Sequence, residues 1–468
     1  MNIFDTIAAV STPYGKGGVA LIRISGDGAL SVADKVFTLR SGKKLSEISE
    51  RKMVYGDIRS SLNGELVDDV MAVYMKAPNT YTGEDTVEIT CHGGVLITQA
   101  VLSTVLVAGA RAAEAGEYTR RAFINGRITL TEAESLGLML EAKSATQLKL
   151  YRSGMCGKLS QSLRGLYDEL CRVESSIFAR IDYPDEDLAD MSREQMTDSI
   201  KRVRDKLSAL LATSLTGNAI SRGIPAVICG RTNAGKSSLY NLIVGYDAAI
   251  VTDIEGTTRD VLREEVSLGK VLLRISDTAG LRRSDDVVES IGIERAKSEI
   301  RGAGIIFAVF DGSKPLGDDD RLLIEEIGSL NSGAFTVAVI NKTDLGRVIT
   351  DESEDMKTIG NAFSCVVPLC AATGDGFSLL VDAVEKAFID SEIDLGNDAV
   401  LINSRQTLAI GTSVEALDRA LEGISSGLEI DMCCSDVEEA MSRLGELDGR
   451  DVSEDIVSEI FTKFCVGK

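Results

Sequence analysis

A chain of 468 residues, 44% of them hydrophobic, has apolar mass for about three domains of roughly 150 residues, each with its own core. Its net charge of −22 is the wrong sign for coating nucleic acid through bulk electrostatics, so any RNA contact must be local. No apolar run reaches the roughly eighteen residues of a membrane helix and the start MNIFDTIAAV lacks the order of a secretion signal, so the chain is expected to be cytoplasmic, with no membrane partner.

Residues 1–125 read as short strands and turns. TIAAVST, VALIRIS, DDVMAVYM and TVEITCHGG alternate or run apolar between Gly, Pro and Asn, which predicts an α+β domain. The glycines of GKGG at 15–18 precede a strand and so form a tight turn, not a phosphate loop. His92, the only histidine, reads as a satisfied structural imidazole; a serine–histidine triad or a multi-histidine metal site is disfavoured. Nine cysteines without a CxxC pair argue against a disulfide framework or zinc knuckle, and most are expected to be buried.

From 126 the period changes. Met155, Leu159, Leu163, Leu166, Leu170, Val173 and Ile177 form the stripe of one long amphipathic helix, and Ile200, Val203, Leu207, Leu210 and Leu211 form a second. Over 221–388 short apolar runs alternate with helical stretches, which predicts a parallel sheet covered by helices. Helical periodicity returns over 389–468, with Ile456, Val457, Ile460, Phe461, Phe464 and Cys465 on one face. The simplest packing lets the last segment complete the bundle begun at 126–220, so that the α/β unit is an insertion in a helical domain.

Residues 230–237, GRTNAGKS, follow the strand IPAVIC and precede a helix, the context of a phosphate-binding loop. Gly230 and Gly235 let backbone N–H groups curl around an oxyanion, Lys236 reaches the outer phosphates, and Ser237 holds Mg²⁺. DTAG at 277–280 places Asp277 near that metal and the Gly280 amide at a terminal phosphate; GTTRD at 256–260 supplies Thr258 as a second Mg²⁺ ligand. NKTD at 341–344 places Asp344, expected to be buried, to accept two hydrogen bonds from guanine. Adenine offers neither donor, so the nucleotide is GTP. Leu281 stands where Ras-like switches carry a water-orienting glutamine; Glu289 is the substitute, its alternative a solvated carboxylate at a helix start. Asn233 presents an amide oxygen suited to a monovalent cation, its alternative a loop-shaping role.

These residues resemble one family along nearly the whole chain, the tRNA modification GTPase MnmE (TrmE) family. The resemblance runs from DTIAAVSTPYGKGGVALIRISG through EITCHGG, GEYTRRAFINGRITLTEAES, GRTNAGKSSL, VTDIEGTTRD, DTAGLR and IGIERA to the terminal FCVGK. Thr232 stands where the family has proline, and Cys370 where it has a serine of the guanine-contacting loop. The resemblance implies four segments: a tetrahydrofolate-binding and dimerisation domain over 1–125, a helical domain over 126–220 and 389–468, and an inserted P-loop GTPase domain over 221–388. GTP contacts carry over to Asn233, Ala234, Gly235, Lys236, Ser237 and Ser238. They continue through Thr252, Asp253, Ile254, Glu255, Gly256, Thr257 and Thr258, then Asp277, Thr278, Ala279 and Gly280, and finally Asn341, Lys342, Thr343 and Asp344.

It also implies a potassium-dependent GTPase activated when G domains dimerise. Asn233, Thr252, Ile254 and Thr257 ring the K⁺, and Glu289 orients water. The implied partners are the flavoprotein MnmG, in a heterotetramer, a second copy of the chain, and tRNA, whose wobble uridine (position 34) receives an aminomethyl or carboxymethylaminomethyl group on C5. The one-carbon unit comes from 5,10-methylene- or 5-formyl-tetrahydrofolate, with Arg23, Glu88, Arg127 and Lys468 at folate-contact positions. Glu88 would meet the pterin, and Arg23 and Lys468 the folate carboxylates; for Arg23 the alternative is an arginine turned to solvent. Cys465 takes a catalytic part in modification, its alternative a core thiol beside Phe461 and Phe464. A GTP-dependent ribosome-assembly switch is the other functional reading; it needs neither the folate-like domain nor FCVGK.

Overall fold

The computed structural model describes residues 5–182, 191–248, 263–276, 297–330, 333–450 and 453–467. The chain divides into two compact units: one holds residues up to 140 with 154–168 and 441–468, the other 141–153 and 169–440.

The first unit is built on a seven-stranded sheet of β1 (Ile7–Val10), β2 (Val19–Ser25), β3 (Phe37–Leu39), β4 (Val54–Arg59), β5 (Leu66–Met75), β6 (Thr86–His92) and β7 (Arg111–Ala112), in the order β3-β4-β5-β6-β2-β1-β7. All pairings are antiparallel except β1 with β7. Alternate residues of β2 and β6, among them Ile22, Ile24, Val87 and Ile89, are buried, as period-two side-chain alternation requires. They pack with α1 (Ala29–Val36) and α2 (Val95–Val107), two helices beyond the predicted strands and turns. α3 (Glu117–Ile124) is held through Arg121, only 3% exposed, whose guanidinium donates to Asp5, Glu84 and Glu117. α4 (Leu130–Leu140) buries Leu130, Ala133 and Leu136 against Val457, Phe461 and Phe464 of the C-terminal segment.

The stripe beginning at Met155 is interrupted. α5 (Ala145–Met155) ends at Met155, Gly157 N–H turns back to the Gly154 carbonyl at 3.0 Å, and α6 (Lys158–Asp182) starts afresh. Leu159 through Ile177 are then buried along α6 as the period predicts. α7 (Arg193–Ala212) is opened by a capping box in which Ser192 accepts from the Gln195 amide, and α8 (Ser214–Ser221) follows.

The second unit carries a six-stranded sheet, β8 (Ile224–Cys229), β9 (Arg263–Leu268), β10 (Val271–Ser276), β11 (Ile305–Asp311), β12 (Phe335–Asn341) and β13 (Cys365–Pro368), in the order β13-β12-β11-β8-β10-β9. Only β9 with β10 is antiparallel. Every residue of β11 is buried because its two faces feed two cores. Phe307 and Val309 join one with α9 (Lys236–Ala248); Ile306, Ala308 and Phe310 join the other with α10 (Asp318–Leu330) and α11 (Glu354–Ala362). That two-sided burial is why the strand reads as a continuous apolar run. α12 (Phe377–Phe388) packs on the first core through Leu380 and Val384.

α13 (Ser404–Ser425) packs on α7, so helices from before and after the α/β segment meet. α14 (Cys434–Asp448) and α15 (Glu454–Thr462) complete the order. No helix among the described residues is long and apolar enough to cross a membrane. The fold is therefore the mixed α+β and α/β architecture expected, with a large helical part.

Candidate functional site

The phosphate loop joins the end of β8 to the start of α9, so its amides and the helix N-terminus face one point. Gly235 takes a φ of +104°, and a Cβ there would fall on the Asn341 amide nitrogen; only glycine fits. Lys236 donates to the carbonyls of Gly230 at 2.8 Å and Arg231 at 2.9 Å, and burial pulls its ammonium below the usual lysine range. With three donors it keeps capacity for a phosphate. Asn233 has a φ of +63° and an exposed side chain; Ser237 and Ser238 are exposed and Ala234 is buried.

Asn341, at the end of β12 and 3% exposed, binds the two nucleotide loops together. Its Nδ2 donates to the Ala234 carbonyl at 2.9 Å, and its Oδ1 accepts from the Ala371 amide at 2.9 Å. Lys342 has a φ of +62° and donates to Asp311 Oδ2 at 2.8 Å from the strand register opposite. Burial pushes the Asp311 carboxyl up, but bonds from Lys342 and Ser313 outweigh it and hold it down at about 2. Thr343 begins a 3-10 turn. Asp344 is exposed, against the expectation that it is buried: it lies on that turn, beyond the strand that buries Asn341.

Thr252, Asp253, Ile254, Glu255, Gly256, Thr257, Thr258, Asp277, Thr278, Ala279, Gly280, Glu289 and Lys468 lie outside the described residues.

In the first unit Arg23 and Glu88 are cross-strand partners in β2 and β6, joined through Nε at 2.9 Å and Nη2 at 2.8 Å to the one oxygen Oε1. The two share one spot as an ion pair, and Arg23 is not a lone arginine turned to solvent. The Arg23 guanidinium lies 5.5 Å from the Tyr81 ring centroid and 5.7 Å from that of Tyr118. Arg127 is exposed and its stem runs past Gly83, two residues from Tyr81. Nothing in the sequence signalled the tyrosines, which come from segments about sixty and ninety-five residues beyond Arg23.

The C-terminal tail docks on the same unit. Val466 bridges to Ala115, the Cys465 carbonyl accepts from the Gly116 amide at 3.4 Å, and the Gly467 carbonyl accepts from the Ser11 hydroxyl at 3.0 Å. Cys465 is exposed, which corrects its placement on the buried face with Phe461 and Phe464. α15 ends at Thr462, Phe464 turns inward with its ring 5.8 Å from that of Phe461, and Cys465 begins the extended tail with its thiol outward. Cys156 is exposed as well, while Cys91, Cys370, Cys433 and Cys434 are buried.

His92 is exposed. Its Nδ1 lies 2.7 Å from Asp68 Oδ1 while its amide donates to Oδ2 at 2.9 Å, and the hydrogen bond and charge of Asp68 hold its pKa above the ordinary histidine value. An NMR titration should give a midpoint above 6.5, returning toward it in Asp68→Asn; a wild-type midpoint at or below 6.5 would contradict the pairing. Because the folded value is raised, the pair stabilises the fold below the unfolded pKa and ceases to as pH rises through the folded one.

Comparison with known proteins matches residues 6–127 to the family described as GTP-binding protein TrmE N-terminus, and residues 130–465 to the MnmE helical domain. The chain belongs to the MnmE family. It is 37% identical over 469 residues to a protein of Geobacillus thermodenitrificans called tRNA modification GTPase MnmE, covering all of both chains. A MnmE of Clostridioides difficile is 36% identical over 468 residues, again covering both chains fully, and one of Bacillus velezensis is 38% identical, covering 99% of this chain and 100% of its own.

Proposed function

We propose that this chain is a GTP-hydrolysing subunit of a complex that modifies the wobble uridine of tRNA at C5. The observation that carries the reading is the tail: Cys465 to Gly467 is pinned to the N-terminal sheet with the thiol exposed, and the same chain carries the 230–237 loop, tied through Asn341 to the loop at Ala371. A ribosome-assembly switch has no use for the former. The segments are read as 1–125 for folate binding and dimerisation, 126–220 and 389–468 as the helical domain, and 221–388 as the inserted GTPase.

For GTP, the loop amides and Lys236 hold the phosphates, Asn341 keeps the loops in register, and Asp344 accepts from the base. Glu289 orients the attacking water, since Leu281 has no polar group. The exposed Ser237 hydroxyl at the start of α9 fits a Mg²⁺ ligand, completed by Thr258. The exposed Asn233 amide, held in a left-handed turn, fits a K⁺ ligand with Thr252, Ile254 and Thr257; bound there, the cation offsets charge on the transferring phosphoryl group. In the N-terminal unit only Oε1 of Glu88 is bonded among the described residues, which leaves Oε2 to accept a pterin N–H. Arg127 and Lys468 would serve the folate carboxylates. A tetrahydrofolate held there supplies the one-carbon unit, with MnmG as the flavin-bearing partner in a heterotetramer formed on the homodimer.

The test is wobble-nucleoside mass spectrometry in cells lacking this chain. The modified nucleoside should be lost, return with the wild-type chain, and stay absent with Lys236→Ala; the purified chain should hydrolyse GTP faster in K⁺ than in Na⁺. An unchanged nucleoside profile would overturn the tRNA reading, and equal rates in the two salts would remove the cation from the loop.

A further inference from the structure

Alternate residues of β6 divide between the two faces of the first unit's sheet. Val87, Ile89 and Cys91 belong to the core with α1 and α2, so Glu88, Thr90 and His92 share the opposite face. Their register partners on β2 are Arg23, Leu21 and Val19. His92 therefore stands on the same face as the Arg23–Glu88 pair, four residues further along the strand, or about 13 Å. The tail meets this part of the sheet: Ser11 donates its hydroxyl to the Gly467 carbonyl at 3.0 Å and its amide to the Leu21 carbonyl at 2.7 Å. Asp68 of β5, its side chain 9% exposed, is fixed by two amides, Asp69 N–H donating to Oδ1 and His92 N–H to Oδ2, each at 2.9 Å. Oδ1 also lies 2.7 Å from His92 Nδ1. An ionised carboxylate only accepts, so Nδ1 of the neutral ring carries the hydrogen and Nε2 keeps its lone pair. Nε2 has no partner among the described residues, and the side chain is 65% exposed.

We infer that His92, oriented by Asp68, is the proton acceptor that removes the C5 hydrogen of the uridine during modification. This role rests on the wobble-uridine reading and deepens it. Substitution at C5 requires that the hydrogen there leave. Once the C5=C6 electrons of the ring have formed the bond to the incoming one-carbon unit, the C5–H bond breaks, its electron pair restores the double bond, and the proton passes to Nε2. Asp68 then faces an imidazolium, which a buried carboxylate stabilises, and the proton is returned to water. The proton transfer consumes no oxidant or reductant. The Asp68 hydrogen bond, with the charges of Asp68 and Asp69, holds the ring above the ordinary histidine value, the range in which a proton acceptor works well near neutral pH. On the β2 side the register neighbour is the apolar Val19.

The experiment uses the full-length chain, whose single histidine gives one set of ring signals by NMR. An anticodon stem-loop RNA with an unmodified wobble uridine should shift those signals; signals unmoved with the RNA bound would overturn the role. In the complex reconstituted with the flavoprotein partner, a tetrahydrofolate, GTP and unmodified tRNA, His92→Gln should lower kcat for nucleoside formation about a hundredfold or more, the range of a lost general base, with KM for tRNA within about threefold. The wild-type rate should rise with pH through the midpoint that NMR gives for His92. Asp68→Asn removes the charge and keeps an acceptor for Nδ1–H, so it should move both midpoints down together. A His92→Gln rate within about threefold of wild type, or a rate midpoint that stays in Asp68→Asn while the NMR midpoint moves, would overturn the role. Should His92→Gln fail to fold, the paired shift in Asp68→Asn decides. Failure of the underlying reading looks different: the wild-type chain then forms no modified nucleoside at all, and the role of His92 falls with it.

Discussion

Asn341→Ala is expected to weaken GTP binding by about two orders of magnitude and to lower the stability of the sheet that carries it. The residue is 3% exposed and serves two backbone groups from separate loops, the Ala234 carbonyl and the Ala371 amide. Alanine leaves both without their partner in a site too enclosed for easy hydration, at about 1–3 kcal/mol for each unsatisfied group. The loss falls on GTP because, in the proposed function, the first loop holds the phosphates and the second sits beside Asp344, which is proposed to read the base. Released from each other, the two must be brought into register at the moment of binding, and about 2.7 kcal/mol of such cost is a hundredfold in affinity. Calorimetry with GTP and urea denaturation check the two effects; an affinity within threefold of wild type would show that the loops are aligned without Asn341. Asn341→Asp is a sharper variant, since it keeps the acceptor for Ala371 and removes the donor to Ala234.

Gly467→Val should abolish nucleoside modification while leaving GTP hydrolysis within about twofold. Gly467 has a φ of +100°, and a Cβ there would fall on the Val10 carbonyl oxygen. The left-handed backbone alone costs a β-branched residue about 1–2 kcal/mol, and the collision with backbone cannot be relieved by turning a side chain. The tail is held by few bonds, chiefly the bridge of Val466 to Ala115, the Gly116 amide on Cys465, and the Ser11 hydroxyl on Gly467, so it should detach. Faster hydrogen exchange at Gly116 together with loss of the modified nucleoside would show that docking places Cys465 for its work. Retained modification with a detached tail would take Cys465 and its neighbours out of the chemistry. Ser11→Ala, which removes one bond and adds no clash, should give a partial version of the same defect.

Much of this protein was legible in one dimension because the physics there is local. The phosphate loop is contiguous, GRTNAGKS between a strand and a helix; NKTD, proposed to read guanine, is contiguous too; and the apolar periods of β11, α6 and α7 follow from which faces are covered. What failed locally failed for a stated reason. Met155 shares the spacing of the α6 stripe, but a turn through Gly157 separates it, and periodicity cannot register a break that keeps phase. Cys465 shares the spacing of Phe461 and Phe464, but the helix has already ended and the tail is extended by its bonds to residues some 350 to 450 positions away. Residue types and spacing thus determined the nucleotide, the fold class and the family. Tertiary structure alone decided that Arg23 pairs with Glu88 near two tyrosine rings, that Asn341 ties two loops together, that Cys370 meets Asp344, and that the tail returns to the first sheet. Each of those depends on distance between atoms remote along the chain, and such distances are set by strand register and packing.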